Sequence, residues 1–504
     1  MSTSLEPVRE VWSQRSEART RTDVLYLVYV VVLSVGMVGA PALHGAGELL
    51  ARPDVMPFLL REGAPSISTV IVLLGGAGLL LLGAVRGPAL LPPFFTATLG
   101  ASGIRRRAVL WRPFLRALLI PVLSLTVPAV LVGSTLRAGA GASLAEVALF
   151  ALACLGAGML LGVAWLGGQL LLAGARRLVA LVLVVGAVGA VAAPLHLGVA
   201  AVYPGRSQHG GAWTLGLLGA GILAVGLSIP LLDRLRGAVL AQQAARWDAA
   251  AQAATTMDLT TAAGTFRELP LAGRRLPAIG GGGLVVLYAR RDAVAWLRTP
   301  ERSAVAVLGA LLGGAAVGGA TLLSGPTAWT MLLVGALVLR AAGGAFVDGI
   351  RHGVHTLGAP RLFGQSAGAQ VLLHLTAPLL LLGVLAGLGS GSLGLLGAAA
   401  DRLGVAAVLL PVLLAAVLVV ARAWEAAKGT IPLALSTPMP TPQGDLSVVL
   451  QLGWHADAVV LALAVAAALL LLVPSGPWMM VCGAAMLIAL LALLARKRLR
   501  ALTD

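Results

Sequence analysis

Few side chains in the apolar segments of this chain could carry chemistry. A carrier coupled to an ion gradient needs a group within a membrane span whose charge changes as the ion binds. The nearest candidates are His196 and His374, while Arg340 lies close to the end of a span, where its side chain could snorkel. For each histidine, a neutral ring with one hydrogen bond between helices is the preferred interpretation. Ion coupling is therefore left open as an alternative.

The sequence contains no motif for cradling nucleotide phosphates. A P-loop, G-x-x-x-x-G-K-[ST], places a lysine directly after a glycine-rich turn. The two lysines are Lys428 and Lys497, in the contexts EAAKGT and LARKRL. The four glycines at 280–283 lack such a lysine and are interpreted as a linker. We therefore predict that this chain is not an enzyme and binds no cofactor itself.

Other polar groups have simpler interpretations than a site. A membrane enzyme would need an acidic base on an outer loop, and Glu48, Asp54 and Glu62 occur in the first such loop. No adjoining soluble domain could complete a substrate site, so these carboxylates are interpreted as solvated surface. Cys154 and Cys482 fall within apolar segments, which argues against a disulfide framework or a metal site. A purely structural membrane scaffold is a further alternative.

The composition requires a bilayer around most of the chain. Of its 504 residues, 59% are hydrophobic and 11% are charged, with a mean hydropathy of +0.95, so polar surface is too scarce for a soluble globule. A window of roughly 20 apolar residues predicts twelve spans. The predicted fold is an all-α, polytopic integral membrane protein. The spans are 24–43, 66–85, 117–135, 144–173, 179–202, 213–232, 303–323, 327–346, 369–389, 403–421, 457–473 and 478–495.

The basic residues predict the orientation. With the N-terminus inside, 30 of the 36 Lys and Arg residues fall on the cytoplasmic side and 5 outside, and Arg340 falls in a span. Such asymmetry follows the positive-inside rule. The net charge of +16 is therefore interpreted as topology determinants that meet lipid head groups, and not as a nucleic-acid surface. The sequence predicts a plasma-membrane protein with both termini in the cytoplasm.

A segment typical of the start of a membrane protein occurs twice in the chain, which indicates an internal duplication. An Arg-bearing amphipathic segment leads into an apolar span at 7–36 and again at 284–314. The segments 86–125 and 343–382 also share an order of features, ending in spans with an internal proline. We predict two parallel six-helix repeats, 1–232 and 284–504, joined by a cytoplasmic linker at 233–283.

The second start resembles a known family. The pattern Y-A-R-R-D-x-x-x-x-L-R-T-P-E-R at 288–302 is similar to the elbow helix that opens the transmembrane subunit of ABC-2-type exporters, and 7–23 is a looser version. The candidate elbow residues are Trp12, Arg15, Arg19, Arg290, Arg291, Trp296 and Arg298. In that family six helices follow the elbow, and a segment between spans two and three docks on a separate ATPase. This chain departs from the family by joining two such halves.

The resemblance implies that the chain is the permease subunit of an ABC exporter. ATP would be bound by cytoplasmic ATPase subunits, two copies by implication, and force would enter through 88–112 and 348–366. The candidate coupling residues are Pro92, Pro93, Phe94, Phe95, Arg105, Arg106, Arg107, His352, His355, Leu362 and Phe363. The alternative is a secondary transporter of the major-facilitator type with 6+6 helices, for which 99–110 is a partial motif without its acidic residue. The sequence selects no substrate.

Overall fold

The fold is described from a computed structural model of the chain. It describes residues 21–100, 104–192, 197–206, 210–255, 264–266, 273, 275–356, 364–395, 404–429, 431–432, 435, 437–441 and 444–502. The chain divides into two compact units, Met1–Phe266 and Arg267–Asp504. The division falls inside the predicted linker at 233–283.

Helices form nearly all of the first unit. Helix α1 (Arg21–Ser34) continues through a π-helical turn into α2 (Ala40–Leu50). The following helices are α3 (Met56–Leu59), α4 (Ala64–Val85), α5 (Pro93–Gly100), α6 (Arg106–Ala140), α7 (Leu144–Leu170), α8 (Ala173–Ala192), α9 (Gly210–Leu231) and α10 (Gly237–Thr255). Short 3-10 turns occupy Gly198–Val202 and Leu232–Arg234.

The second unit has the same character. Its helices are α11 (Leu284–Leu297), α12 (Pro300–Ala320), α13 (Gly325–Gly343), α14 (Asp348–His355), α15 (Ala367–Leu395), α16 (Val405–Ala426), α17 (Leu446–Leu471) and α18 (Pro477–Ala501). A two-residue antiparallel pair, β1 (Pro440–Thr441) and β2 (Gly444–Asp445), precedes α17. The fold is therefore all-α in its layers and core.

Local sequence signals set one sharp helix boundary in the first unit. Helix α6 ends at Gly141, whose φ of 74° is the left-handed conformation that glycine adopts without strain. Two residues later, the Ser143 side chain accepts from the Glu146 amide, and the Glu146 carboxylate accepts from the Ser143 amide. This capping box starts α7 and satisfies two amides that the first turn leaves unpaired.

Twelve helices within the described residues are long and apolar enough to cross a bilayer. This confirms the predicted count and the all-α polytopic class. Several predicted boundaries differ from the helix ends, two of them as follows. The third span, predicted at 117–135, belongs to a helix that starts at Arg106, because a helix continues through basic residues that a hydropathy window excludes. The fifth, predicted at 179–202, is described as a helix over Ala173–Ala192, and its predicted end falls on a 3-10 turn at Gly198–Val202.

A central fourth helix is common to both units. Helix α7 packs against α4, α6 and α9, and α16 packs against α12, α15, α17 and α18; each is the most buried long helix of its unit. The first long helices differ, since α12 packs on α13 and α15 whereas Leu25–Leu50 buries none of its apolar window. The parallel repeat stays a prediction, and the central position of the fourth long helix in each unit is consistent with it.

Glycine permits the closest helix crossings. Gly168 of α7 faces the Leu80 carbonyl of α4, and Gly389 of α15 faces the Leu311 carbonyl of α12. At both positions a side-chain carbon would overlap backbone atoms of the neighbouring helix. Small residues of this kind let helices approach closely in a membrane, where hydrophobic driving force between them is absent.

Candidate functional site

Several of the described polar contacts lie at the helix ends where a short helix joins the second and third long helices of each unit. In the second unit this short helix is α14, which packs on α15 and α16. Its Ile350, Gly353 and Val354 are buried, whereas His352 and His355 are exposed. Alternation of this kind makes α14 amphipathic, with one face on the bundle and a histidine-bearing face outward.

A buried histidine–aspartate pair lies beneath α14. His374 of α15 and Asp292 of α11 are 2% and 3% exposed, and the His374 Nδ1 atom is 2.9 Å from each Asp292 oxygen. The Tyr288 ring meets the imidazole edge to face, with 4.8 Å between centroids. Gly349 closes the pocket from α14, because a side chain there would overlap both members of the pair. The pair therefore joins α11 to α15 where α14 covers them.

A second set of contacts holds the start of α14. The Arg302 guanidinium, in the first turn of α12, binds the Asp348 carboxylate and donates to the Gly344 carbonyl at 2.9 Å. The Trp296 indole of α11 donates to the Phe346 carbonyl at 3.2 Å. Contacts from α11 and α12 thus converge on the loop and first turn of α14. A displacement of α14 would therefore disturb its contacts with both helices.

Burial and nearby positive groups favour the neutral form of His352 on the outer face of α14. Partial burial lowers the pKa of His352, and the nearby Arg291, His374 and His355 lower it further. A histidine with a lowered pKa is neutral at neutral pH. His352 is therefore available as a hydrogen-bonding group and not as a cation. Arg291 contributes to this setting, while Arg290 is exposed on α11.

In the first unit, the corresponding short helix is α5. Pro93 occupies its first position, where a backbone amide would have no partner within the helix, so proline is tolerated there. Phe95 and Leu99 line a small, partly open pocket together with Leu110 of α6 and Leu240 of α10. Phe94 points elsewhere and is 54% exposed. Phe95 thus belongs to the packing of α5, and Phe94 is the exposed aromatic ring of this helix.

An amide network fastens α10 to the end of α4. Gln243 is 2% exposed; its side-chain nitrogen donates to the Gly83 and Ala84 carbonyls at 3.0 and 2.9 Å. Its oxygen accepts from the Gln169 amide nitrogen at 2.8 Å. The Arg86 guanidinium lies over the Trp247 ring at 4.2 Å. The first part of the predicted linker, which forms α10, is therefore built into the membrane unit.

The three arginines at 105–107 have different surroundings. Arg105 is the exposed N-cap of α6, and Arg106 lines the cavity beside α5. The Arg107 amide donates to the Asp233 carboxylate at 2.8 Å, and its guanidinium lies 3.4 Å from the same group. Asp233 therefore caps α6 from the end of α9.

The structure places the predicted site residues unevenly. Pro92, Phe94, His352, His355, Trp296 and Arg298 are all at the two short helices or on α11. The predicted Trp12, Arg15, Arg19, Leu362 and Phe363, and also His196, lie outside the described residues.

Sequence reasoning missed the contacts of Asp292 and Gln243 and gave a third group, Arg340, a different setting. Asp292 is buried against His374, although the spacing from Tyr288 to Asp292 puts both on one face of α11 and was visible in the motif. Gln243 gave no sequence signal. Arg340 does not snorkel: it is buried and binds Glu425 of α16 at 3.1 Å.

These features define the class as a multi-pass, all-α membrane protein, and twelve apolar helices suggest a membrane transporter. Comparison of this chain with protein-family models, with curated proteins and with solved structures finds no match.

Proposed function

We propose that this chain is the permease subunit of an ABC-2-type exporter, energised by separate cytoplasmic ATPase subunits. The observation that carries the proposal is α14, a short amphipathic helix between the second and third long helices. Its apolar face lies on α15 and α16, and its first turn is bound by Arg302. Such a helix offers a partner an outward face while its inner face passes force into the bundle.

The first unit supports the same function with α5. This helix also follows the second long helix, presents Phe94 outward, packs on α10 and shares a small pocket with α6. An exposed aromatic ring beside Pro92 suits an anchor in a partner groove. With one such helix in each unit, the chain offers docking surfaces for two ATPase subunits, which would bind the ATP.

The proposed orientation puts α5 and α14 in the cytoplasm of a plasma-membrane protein. We test it in a chain whose Cys154 and Cys482 are replaced by alanine. Phe94→Cys should react with an impermeant maleimide only after the cells are permeabilised. Ala138→Cys, exposed near the other end of α6, should react in intact cells. The reverse labelling pattern would overturn the orientation and, with it, cytoplasmic docking.

Docking through α5 predicts a loss of partner binding from a single surface change. Tagged chain purified gently from its native membrane should carry a protein with ATPase activity. Phe94→Asp should reduce that activity about tenfold or more, because a hot-spot aromatic contributes about 2 kcal/mol or more to binding. Phe94→Leu, which stays apolar, should retain most of it. The measurement is ATP hydrolysis per mole of purified chain, alongside the thermal unfolding temperature.

These variants separate docking from folding. Phe94 is 54% exposed, so Phe94→Asp should leave the unfolding temperature unchanged. A chain that purifies without any ATPase, or keeps its ATPase after Phe94→Asp, would contradict docking at α5.

A second candidate, a proton-coupled carrier, is favoured by the buried Asp292 and His374. In proteoliposomes carrying a trapped pH dye and an imposed proton gradient, the permease proposal expects no substrate-linked proton entry without an ATPase. Proton entry that requires a substrate, and that His374→Gln abolishes, would favour the carrier and reject the exporter.

A further inference from the structure

Helix α18 has two opposite faces. Its buried side chains repeat at helical spacing and face the bundle, where α18 packs on α16. They are Met480, Ala484, Leu491, Ala495 and Leu499. An exposed stripe runs along the opposite side with the same spacing. Its members are Met486, Leu490, Leu493, Lys497 and Arg500. The stripe is therefore apolar along most of its length and basic where the helix ends.

Three exposed basic side chains surround that end of the stripe. Arg496 lies beside Lys497 on the outward side of α18, and Arg500 follows about one turn later. Arg498, in the same run of basic residues, points into the bundle. Its guanidinium carbon lies 3.9 Å from the centre of the Trp424 ring of α16, and it donates to the Trp424 carbonyl at 3.2 Å. The helix thus directs one basic side chain inward and three outward.

The length of α18 places the three outward side chains at the level of the lipid head groups. Trp478 is exposed near the other end of the helix, and tryptophan in such a position marks the boundary of the hydrocarbon. Lys497 lies about 28 Å from Trp478 along the helix axis, and the hydrocarbon core is about 30 Å thick. The stripe therefore crosses the acyl region and meets the opposite head-group layer at its basic end.

The order of groups along the stripe matches one kind of amphiphile. Leu490 and Leu493 offer an apolar surface to an acyl chain, and the cations above them can contact a phosphate from the same side. The surface is open, so a head group needs no cavity. A zwitterionic head group carries its own positive charge, whereas an anionic one does not. The three cations therefore favour the anionic lipid.

We propose that the basic end of α18 binds an anionic phospholipid, with Arg496, Lys497 and Arg500 around its phosphate and an acyl chain along the apolar stripe. The site selects anionic over zwitterionic lipid at one place on the surface of the second unit. The proposal rests on the two faces of α18 and on its length, and is independent of the proposed exporter function.

The test measures which lipid contacts one chosen position. The full chain, with Cys154 and Cys482 replaced by alanine, carries a fluorescent label at Leu493→Cys in nanodiscs of phosphatidylglycerol and phosphatidylcholine. Bromine on the acyl chains of one lipid at a time quenches a label that it contacts, which gives the relative affinity of the two lipids. Phosphatidylglycerol should be favoured about fivefold or more, since even one basic residue close to an anionic head group contributes about this factor.

Leu452→Cys supplies the matched control. Leu452 is exposed near the start of α17, whose 26 residues include no Lys or Arg. Because α17 and α18 are consecutive spans, the start of α17 and the end of α18 lie on the same side of the bilayer. A label at Leu452→Cys should report a preference below twofold. An equal preference at both positions would overturn the proposal, since it would show attraction to the positive charge of the whole chain.

Neutralising the basic end locates the site. Arg496→Gln, Lys497→Gln and Arg500→Gln together should reduce the preference at Leu493→Cys to that of the control. All three side chains are exposed, so the thermal unfolding temperature should stay nearly unchanged. An undiminished preference in the neutralised chain would overturn the proposal. The comparison of the two labelled positions decides the question even if the neutralised chain does not fold.

Discussion

Replacing Gly389 by alanine is expected to lower the free energy of unfolding by about 3 kcal/mol. Gly389 lies on α15 where it crosses α12, and an added methyl group would overlap the Leu311 carbonyl oxygen. The Leu311 carbonyl carbon and Cα would lie 2.8 and 2.9 Å from the same methyl. Because the opposing atoms are backbone, no change of rotamer relieves the overlap, so the two helices must move apart.

Gly391 supplies the matched control. It lies two residues further along α15, and an added methyl there would meet no atom within 4 Å. Gly391→Ala should be neutral or slightly stabilising, because alanine favours the helix by about 1 kcal/mol over glycine. Thermal unfolding in detergent compares the two variants. Equal unfolding temperatures would show that the α12–α15 crossing does not depend on the missing side chain.

Breaking the Asp292–His374 pair should have an effect of similar size. Removal of one member leaves a buried polar group without its partner, which typically destabilises a protein by about 3–5 kcal/mol. Both residues are almost fully buried, so solvent cannot replace the lost partner. Asp292→Ala and His374→Ala are therefore each expected to lower stability by several kcal/mol and to loosen α11 from α15.

A double-mutant cycle measures the coupling. The double variant should lose less stability than the sum of the single losses, because no unpaired group then remains. His355→Ala removes an exposed histidine of α14 and should change stability by about 0.5 kcal/mol or less. Strictly additive losses at Asp292 and His374 would mean that the pair contributes no interaction of its own.

The helices could be predicted from the sequence more readily than the contacts between them. Apolar runs of membrane length predicted twelve long helices, since nearly every backbone group in a lipid-exposed span must bond within its own segment. The short helix α14 falls inside the predicted coupling segment 348–366. These features depend on local sequence, which a single chain displays fully.

The contacts depend on which helices become neighbours. Asp292 and His374 are 82 residues apart, and Arg340 and Glu425 are 85 apart. Nothing local indicates that α15 and α16 bring these pairs together, so Arg340 was interpreted as a snorkelling side chain. Phe94 and Phe95 look alike in the sequence, but only the packing against α6 and α10 separates the exposed ring from the cavity-lining one.

Helix α6 connects the proposed docking helix α5 to the bilayer. Its 35 residues span about 52 Å, against about 30 Å of hydrocarbon, so an untilted α6 would extend roughly 20 Å beyond the lipid tails. Its start lies directly after α5, and it contains Pro113, Pro121 and Pro128. Each proline removes one bond of the helical ladder and provides a place to bend. A displacement of α5 would therefore bend α6 at its prolines, so that α6 would not move as one rigid helix.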